Sequence, residues 1–218
     1  MLLMAALMTW LMPASGMTRD QFAATINRLA ADHDAPRFQP HVTVLVTLDA
    51  ACDAAARKLA SLIALMPPVE LTFTAIGHEQ TYFRSLYLHA APSMQLRALQ
   101  EAGRQAFALD RLPPAPHLSL LYSDMAEDRK RPIIADLGLS LPLTCCFDAI
   151  ELWGRDPRGV RGWYRAARVP LSGASRPLSA GSRVCSGTTD PPVRHWAGAR
   201  VSIVRSAVLP ATNSTDSR

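Results

Sequence analysis

Apolar residues recur at helical spacing in some segments of the chain and in β-branched runs in others, which predicts alternating helices and strands. Phe22, Ile26 and Leu29 form one helical stripe behind Thr18-Arg-Asp-Gln21, a capping-box pattern. The predicted elements are a strand at 9–12, a helix at 18–31, a strand at 42–48, a helix at about 50–66, a hairpin with strands at 69–76 and 82–89, a helix at about 93–109, a strand from 117, a short helix between 124 and 138, and a hairpin with strands at 144–153 and 163–171.

The second half of this order repeats the first. A shift of 76 residues maps His41 onto His117 and, in the two hairpins, Tyr87 onto Trp163. Because one shift aligns both a short motif and its scaffold, we predict a duplicated unit. The apolar stripe of the first helix needs a sheet to cover it.

The basic character of the chain belongs to its C-terminal end. The net charge is +5, with 23 Lys and Arg against 18 Asp and Glu. Residues 1–171 hold 17 basic and 16 acidic residues, a net charge of +1, so the remaining +4 falls in 172–218. We predict one domain over 1–171, with halves at about 9–90 and 91–171, and a flexible basic tail over 172–218. Val201–Leu209 is the one apolar stretch of the tail that could add a strand.

The cysteines and the N-terminal segment bear on the compartment. The four cysteines show no CxxC pair, so we predict neither a zinc site nor a disulfide framework, but reduced thiols in a cytoplasmic protein. No Lys or Arg precedes the N-terminal apolar run, and the run is shorter than the roughly 20 residues that span a bilayer. We therefore prefer a buried strand to the alternative of a signal peptide and expect no membrane partner.

A histidine followed by an apolar residue and then a hydroxyl residue occurs twice, as His41-Val-Thr43 and His117-Leu-Ser119. Residues i and i+2 of a strand point to the same face, so each histidine shares a face with its hydroxyl. If the halves pack about a pseudo-twofold axis, all four side chains meet in one groove. The alternative is that each histidine only ends a strand and each hydroxyl satisfies a backbone group.

The four side chains match the requirements for opening a cyclic phosphate on a ribose. That reaction needs a base to deprotonate water, an acid to protonate the departing ribose oxygen, and donors for the charged phosphoryl oxygens. Histidine suits both proton roles because its ordinary pKa of about 6.5 leaves either form accessible near neutral pH. The sequence leaves open which histidine is the base.

The chain resembles the two-histidine phosphoesterase superfamily, and within it the cyclic phosphodiesterase branch. The paired motifs carry the resemblance together with TWLMP, FQPHVTVL, PHLSLLYSD, FDAIELW and GWYRAARVPL, in that order. It implies a bilobal α+β fold, in which two antiparallel sheets face a central groove and helices lie outside. It also implies that His41 and His117 are catalytic, that Thr43 and Ser119 bind phosphate, and that Tyr122 is an aromatic residue near the site.

Further residues could bind substrate. Stacking on an aromatic ring contributes ~1–3 kcal/mol per base, and we favour Tyr122 first and Trp163 second as the platform. Arg84 and Arg161 could guide a phosphate or be solvated.

We therefore predict a cyclic nucleotide phosphodiesterase that needs no cofactor and no metal. Its predicted substrates are nucleoside 2′,3′-cyclic phosphates or ADP-ribose 1″,2″-cyclic phosphate, and a monomer is expected. Two alternatives stay open. One is an enzyme of RNA ends, similar to 2′-5′ RNA ligases, and the other is a noncatalytic module that binds phosphate or nucleotide.

Overall fold

A computed structural model describes residues 7–113, 115–155 and 159–173, together with the backbone of 202–203. Two short 3₁₀ turns, Tyr82–Arg84 and Val160–Gly162, lie in the loops of the two hairpins. The helices and strands are β1 (Leu7–Pro13), α1 (Met17–Asp32), β2 (Val42–Leu48), α2 (Cys52–Ile63), β3 (Val69–His78), β4 (Leu86–Ala90), α3 (Met94–Ala106), β5 (His117–Leu121), α4 (Glu127–Ala135), β6 (Leu143–Gly154), β7 (Tyr164–Pro170) and β8 (Ser202–Ile203).

The described strands form one antiparallel sheet in the order β1-β2-β5-β4-β3-β6-β7-β8, and β1 also pairs with β6. The first six strands of this order therefore close into a ring, which β7 and β8 extend on one side. The α+β class is confirmed. The prediction of two separate sheets is wrong, because hydrogen-bonded ladders join the strands of both halves.

The element order repeats as the sequence predicts. The first half runs α1-β2-α2-β3-β4 and the second half runs α3-β5-α4-β6-β7. β1 has no counterpart in the second half, and it pairs with both β2 and β6. This additional strand closes the ring.

β1 is buried along its whole length, which explains the apolar run near the N-terminus. Leu7 and Leu11 join the main core beneath the helices, whereas Met8, Trp10 and Met12 form a smaller cluster on the other face of the strand. The prediction of a buried strand is therefore confirmed, with bounds wider than 9–12. In the described part of the chain, no helix is long and apolar enough to cross a membrane.

The first helix begins without the predicted capping box. Gly16 is its N-cap, with a φ of +139° that favours glycine, and no side chain caps the helix. Thr18 lies inside the first turn, so the prediction that it caps the helix is wrong. The glycine, and not a hydroxyl side chain, turns the chain from β1 into α1.

Two expectations about the cysteines and the tail change. Cys146 is disulfide-bonded while Cys52 and Cys145 are free, so the prediction of four reduced thiols is wrong for Cys146. β8 pairs antiparallel with β7, so the expectation of a flexible tail does not hold for residues 202–203. The other residues of 174–218 lie outside the part that the structure describes.

Phe22 offers a test of how α1 is held on the sheet. It is fully buried and meets Phe73 of β3 edge-on, with ring centroids 5.7 Å apart. Phe22→Ala is expected to lower the free energy of unfolding by about 3–5 kcal/mol, because it removes this packing and leaves a cavity. Met17→Ala is the matched control in the same helix. Its side chain is 90% exposed, so the expected change is below about 0.5 kcal/mol. Urea unfolding followed by tryptophan fluorescence measures both, and equal losses would contradict the packing described.

Candidate active site

The register between β2 and β5 brings the two histidine motifs together. Val42 pairs with Leu118 in an antiparallel ladder, and this register places His41 opposite Ser119 and Thr43 opposite His117. All four side chains line one cavity of about 200 Å³, here called the histidine cavity. The structure therefore brings the four residues into one groove, as the pseudo-twofold interpretation of the sequence expects.

The two histidines are held in the same way by their own backbone. Nδ1 of His41 lies 2.7 Å from the carbonyl oxygen of Gln39, and Nδ1 of His117 lies 2.9 Å from that of Ala115. A carbonyl oxygen only accepts hydrogen bonds, so Nδ1 carries the hydrogen in each ring. In the neutral form, Nε2 of each ring is left with its lone pair for a substrate.

His41 lies deep in the site, with only 5% of its surface exposed. Its ring stacks on Trp10 at a centroid distance of 3.7 Å, and the hydroxyl of Tyr122 lies 3.5 Å from its Nε2. Burial lowers the pKa of His41 from 6.5 to about 4, the hydrogen bond to Gln39 opposes the shift, and the charge of His117 adds to it. His41 is therefore neutral at physiological pH.

His117 is less enclosed than His41. Tyr87 meets its ring edge-on at 5.2 Å. Burial lowers the pKa of His117 and the hydrogen bond to Ala115 raises it, while Arg84 lowers it and Glu79 raises it through their charges. The two rings thus differ in their surroundings, although their backbone anchors match.

The two hydroxyls differ in their partners. Ser119 is buried, and its hydroxyl donates to the carbonyl oxygen of Phe83 at 3.0 Å. Thr43 is half-buried, pairs with Trp10 across β1 and β2, and makes no side-chain hydrogen bond within the described residues. Thr43 can therefore donate to a phosphate as it stands, whereas Ser119 must exchange its present acceptor.

Arg84 reaches the histidine cavity from the 3₁₀ turn of the first hairpin. Its guanidinium pairs with the carboxylate of Glu79, donates to the hydroxyl of Tyr87 at 3.3 Å and lies over the Tyr87 ring. Lys130, fully buried, donates from Nζ to the backbone oxygen of Glu79 at 2.6 Å. These contacts hold the turn. Sequence reasoning missed Glu79 and Lys130 because neither belongs to a repeated motif.

Aromatic rings form much of the wall beside the histidines. Trp10 stacks on Trp153 at 4.3 Å, and Phe83 stacks on Trp163 at 5.7 Å. Trp163 and Tyr122, the two predicted platforms, both line the histidine cavity. Phe83 is a site residue that the sequence does not reveal, because it lies next to Arg84 in a 3₁₀ turn where the residue pattern predicts a strand.

Arg155 also lines the histidine cavity, and its guanidinium lies over the Trp163 ring at 5.9 Å. The cavity therefore offers two guanidinium groups and two hydroxyls around two imidazoles. This set of groups can bind an anionic phosphate and move protons at opposite sides of it. No group of three or more His, Cys, Asp or Glu that could hold a metal ion occurs among the described residues.

The sequence matches known phosphodiesterases. Residues 18–159 match the family described as the 2'-5' RNA ligase superfamily. The cyclic phosphodiesterase of Arabidopsis thaliana is 25% identical over 123 residues, which cover 56% of this chain and 67% of that protein. The 2',3'-cyclic-nucleotide 3'-phosphodiesterase of Eremothecium gossypii is 31% identical over 193 residues, which cover 75% of this chain and 82% of that protein. Both names agree with the predicted enzyme class.

Solved structures share the fold. E. coli LigT complexed with ATP matches with a TM-score of 0.52 and 18% identity, over 77% of this chain and 98% of LigT. A structure named only as a phosphoesterase matches with a TM-score of 0.52 and 19% identity, over 77% of this chain and 99% of its own. The family match covers both histidine motifs and confirms the resemblance that they carry. The chain therefore belongs to the 2'-5' RNA ligase superfamily, the two-histidine phosphoesterases.

Proposed function

We propose that this protein is a metal-independent cyclic phosphodiesterase that hydrolyses a ribose cyclic phosphate to a phosphomonoester. The observation that carries the proposal is the shared arrangement of His41 and His117, whose Nδ1 atoms are both fixed by a backbone carbonyl in one cavity. With Nδ1 held by a carbonyl, Nε2 is the atom of each ring that can exchange a proton with a substrate or water.

The surroundings of the two rings favour one assignment of roles. His41 is the more buried ring, and with its pKa near 4 it is neutral and able to accept a proton. His117 is the less buried ring. Burial lowers its pKa as well, the hydrogen bond to Ala115 opposes that shift, and the opposite effects of Arg84 and Glu79 are smaller. We therefore assign the base to His41 and the acid to His117. Nδ1 keeps its hydrogen throughout, so each transfer uses Nε2.

The reaction then balances as a hydrolysis. Nε2 of His41 takes a proton from water, and the water oxygen forms a bond to phosphorus. The bond from phosphorus to one ribose oxygen breaks, and Nε2–H of His117 protonates that oxygen. Thr43, Arg84 and Arg155 offer donors to the phosphoryl oxygens, where negative charge increases in the transition state. In the structure the Tyr122 hydroxyl lies 3.5 Å from Nε2 of His41. The attacking water replaces this contact before Nε2 accepts its proton.

The substrate class follows from the relatives and from the wall of the cavity. Both curated relatives are phosphodiesterases by name, and one is named for 2',3'-cyclic nucleotides. LigT is known in complexes with ATP and with 3'-AMP. Tyr122, Phe83 and Trp163 offer ring faces and edges on which a nucleobase can pack. A nucleoside 2′,3′-cyclic phosphate fits these features, with ADP-ribose 1″,2″-cyclic phosphate as the second substrate of the same site.

Removal of either histidine tests the chemistry. His41→Ala and His117→Ala are each expected to lower kcat by ~10²–10⁴-fold on 2′,3′-cyclic AMP, because each removes one proton transfer. Phosphorus NMR of the full-length protein in excess EDTA follows the conversion of cyclic phosphate into phosphomonoester. His33→Ala is the matched control, since His33 follows the end of α1 and does not line the histidine cavity. Turnover that EDTA abolishes, or that survives in both histidine variants, would refute the proposal.

The pH dependence tests the assignment of base and acid. As pH rises through the His41 pKa of about 4, the base becomes available and kcat/KM increases. As pH rises through the His117 pKa, which burial lowers below 6.5, the acid is lost and kcat/KM decreases. We expect a bell-shaped profile with its maximum between about pH 4 and pH 6.5. A maximum above pH 7, or a flat profile, would contradict the assignment.

A further inference from the structure

A second cavity of about 280 Å³ adjoins the histidine cavity and shares Trp10 and Trp163 with it. Its other walls come from α1, from the segment before β2 and from the second 3₁₀ turn. Either cavity alone is smaller than the roughly 300–1,000 Å³ typical of small-molecule sites, whereas the two together fall within that range. One ligand can therefore extend from the histidines into the second cavity.

Two arginines give the second cavity its chemistry. Arg37 and Arg161 both line it, and both side chains are exposed. Within the described part of the chain, neither guanidinium has a hydrogen bond, an ion pair or a ring contact. No Asp or Glu among the described residues lines either cavity. Two guanidinium groups without a counter-charge favour an anionic ligand, and we call this space the arginine cavity.

The two hairpin loops differ in charge. Arg84 lies in the 3₁₀ turn of the first hairpin, and Arg161 lies in the 3₁₀ turn of the second. Arg84 is neutralised by Glu79, but the shift of 76 residues maps Glu79 onto Arg155. The second hairpin thus has an arginine where the first has the carboxylate. Arg155 and Arg161 therefore both place positive charge near Trp163, which lines both cavities.

Backbone and ring contacts connect the two cavities. The carbonyl of Gln39 anchors Nδ1 of His41, while the same residue lines the arginine cavity. Trp10 stacks on His41 and lines both cavities. A ligand in the arginine cavity therefore lies against two residues, Gln39 and Trp10, that hold the His41 ring.

We propose that the arginine cavity binds a second phosphate group, which the nucleoside of the substrate carries in addition to its ribose cyclic phosphate. The proposal rests on the proposed function and narrows its substrate class. A cyclic phosphate diester carries a single negative charge, for which the histidine cavity already provides the guanidinium of Arg155, while the charge of Arg84 is shared with Glu79. Arg37 and Arg161 then bind a separate phosphate, and the Trp10 and Trp163 rings contact the sugar or base between the two. A 5′-phosphate, a pyrophosphate and an RNA phosphodiester share this chemistry.

The test compares two substrates that differ only in the second phosphate. Adenosine 2′,3′-cyclic phosphate is assayed with the full-length protein beside its 5′-phosphorylated form, and kcat/KM and Kd are measured for both. We expect the 5′-phosphorylated form to be preferred by roughly tenfold or more at low salt, with a preference that decreases as salt is added. Arg37→Gln and Arg161→Gln are each expected to reduce this preference roughly threefold to tenfold.

Arg97→Gln is the matched control, because Arg97 is an exposed arginine of α3 that lines neither cavity. It removes the same charge and is expected to keep the preference. Equal kcat/KM and equal Kd for the two nucleotides would overturn the inference, as would a preference that both cavity variants retain. Absence of turnover of either nucleotide would contradict the proposed function alone, since the Kd ratio tests the second phosphate independently.

The source of the second phosphate is decided by two further substrates. A dinucleotide that ends in a 2′,3′-cyclic phosphate carries it as an RNA phosphodiester, and ADP-ribose 1″,2″-cyclic phosphate carries it as a pyrophosphate. Once the 5′-phosphorylated nucleotide is found to be preferred, each of these two substrates is compared with it, and the preference for each must decrease in the Arg37→Gln and Arg161→Gln variants. The larger of the two preferences assigns the source.

Discussion

The site depends on one constraint, the antiparallel register of β2 against β5. The pairing of Val42 with Leu118 determines which residues lie opposite each other. Each histidine lies opposite the hydroxyl residue of the other motif. A slip of one residue in either strand would turn that strand's histidine and hydroxyl to the opposite face of the sheet. The closed ring opposes such a slip, because β2 is held by β1 and β5 is held by β4. β1 is not part of the repeat, but by pairing with β2 it stabilises the register that brings the two histidine motifs together.

Burial and backbone contacts set the chemistry of the two histidines. Neither imidazole has a carboxylate bonded to Nδ1, since both are fixed by carbonyl oxygens. A carbonyl orients the ring and selects the tautomer without the full charge that would strongly favour the protonated form. Stacking on Trp10 then removes His41 from water more completely than His117. Two copies of one motif thus acquire different proton affinities from their surroundings, although their local backbone is the same.

Local patterns predicted much of the fold, and pairing between distant strands accounts for the rest. β2 has the bounds that its β-branched run predicts, and β5 begins at His117 as predicted. Periodicity does not show which strands are neighbours, so the closure of the sheet through β1 and the stack of Trp10 on His41 could not be derived. The capping box predicted at Thr18 is wrong because the helix begins two residues earlier, with Gly16 as its N-cap. The six predicted site residues line one cavity, but Arg37 and Arg155 were missed because the sequence contains no motif around them.

The pairing of β8 with β7 has a consequence for how the protein can be handled. Ala167 and Arg168 of β7 face Ile203 and Ser202, so the outer edge of the last hairpin strand is covered at its middle by residues from far along the chain. A strand edge left open offers unpaired amides and carbonyls to any passing chain, and it is a recognised starting point for aggregation. A protein shortened to residue 171 would expose that edge. The shortened protein is then expected to self-associate by adding a strand at this edge, even if the histidine site is unchanged.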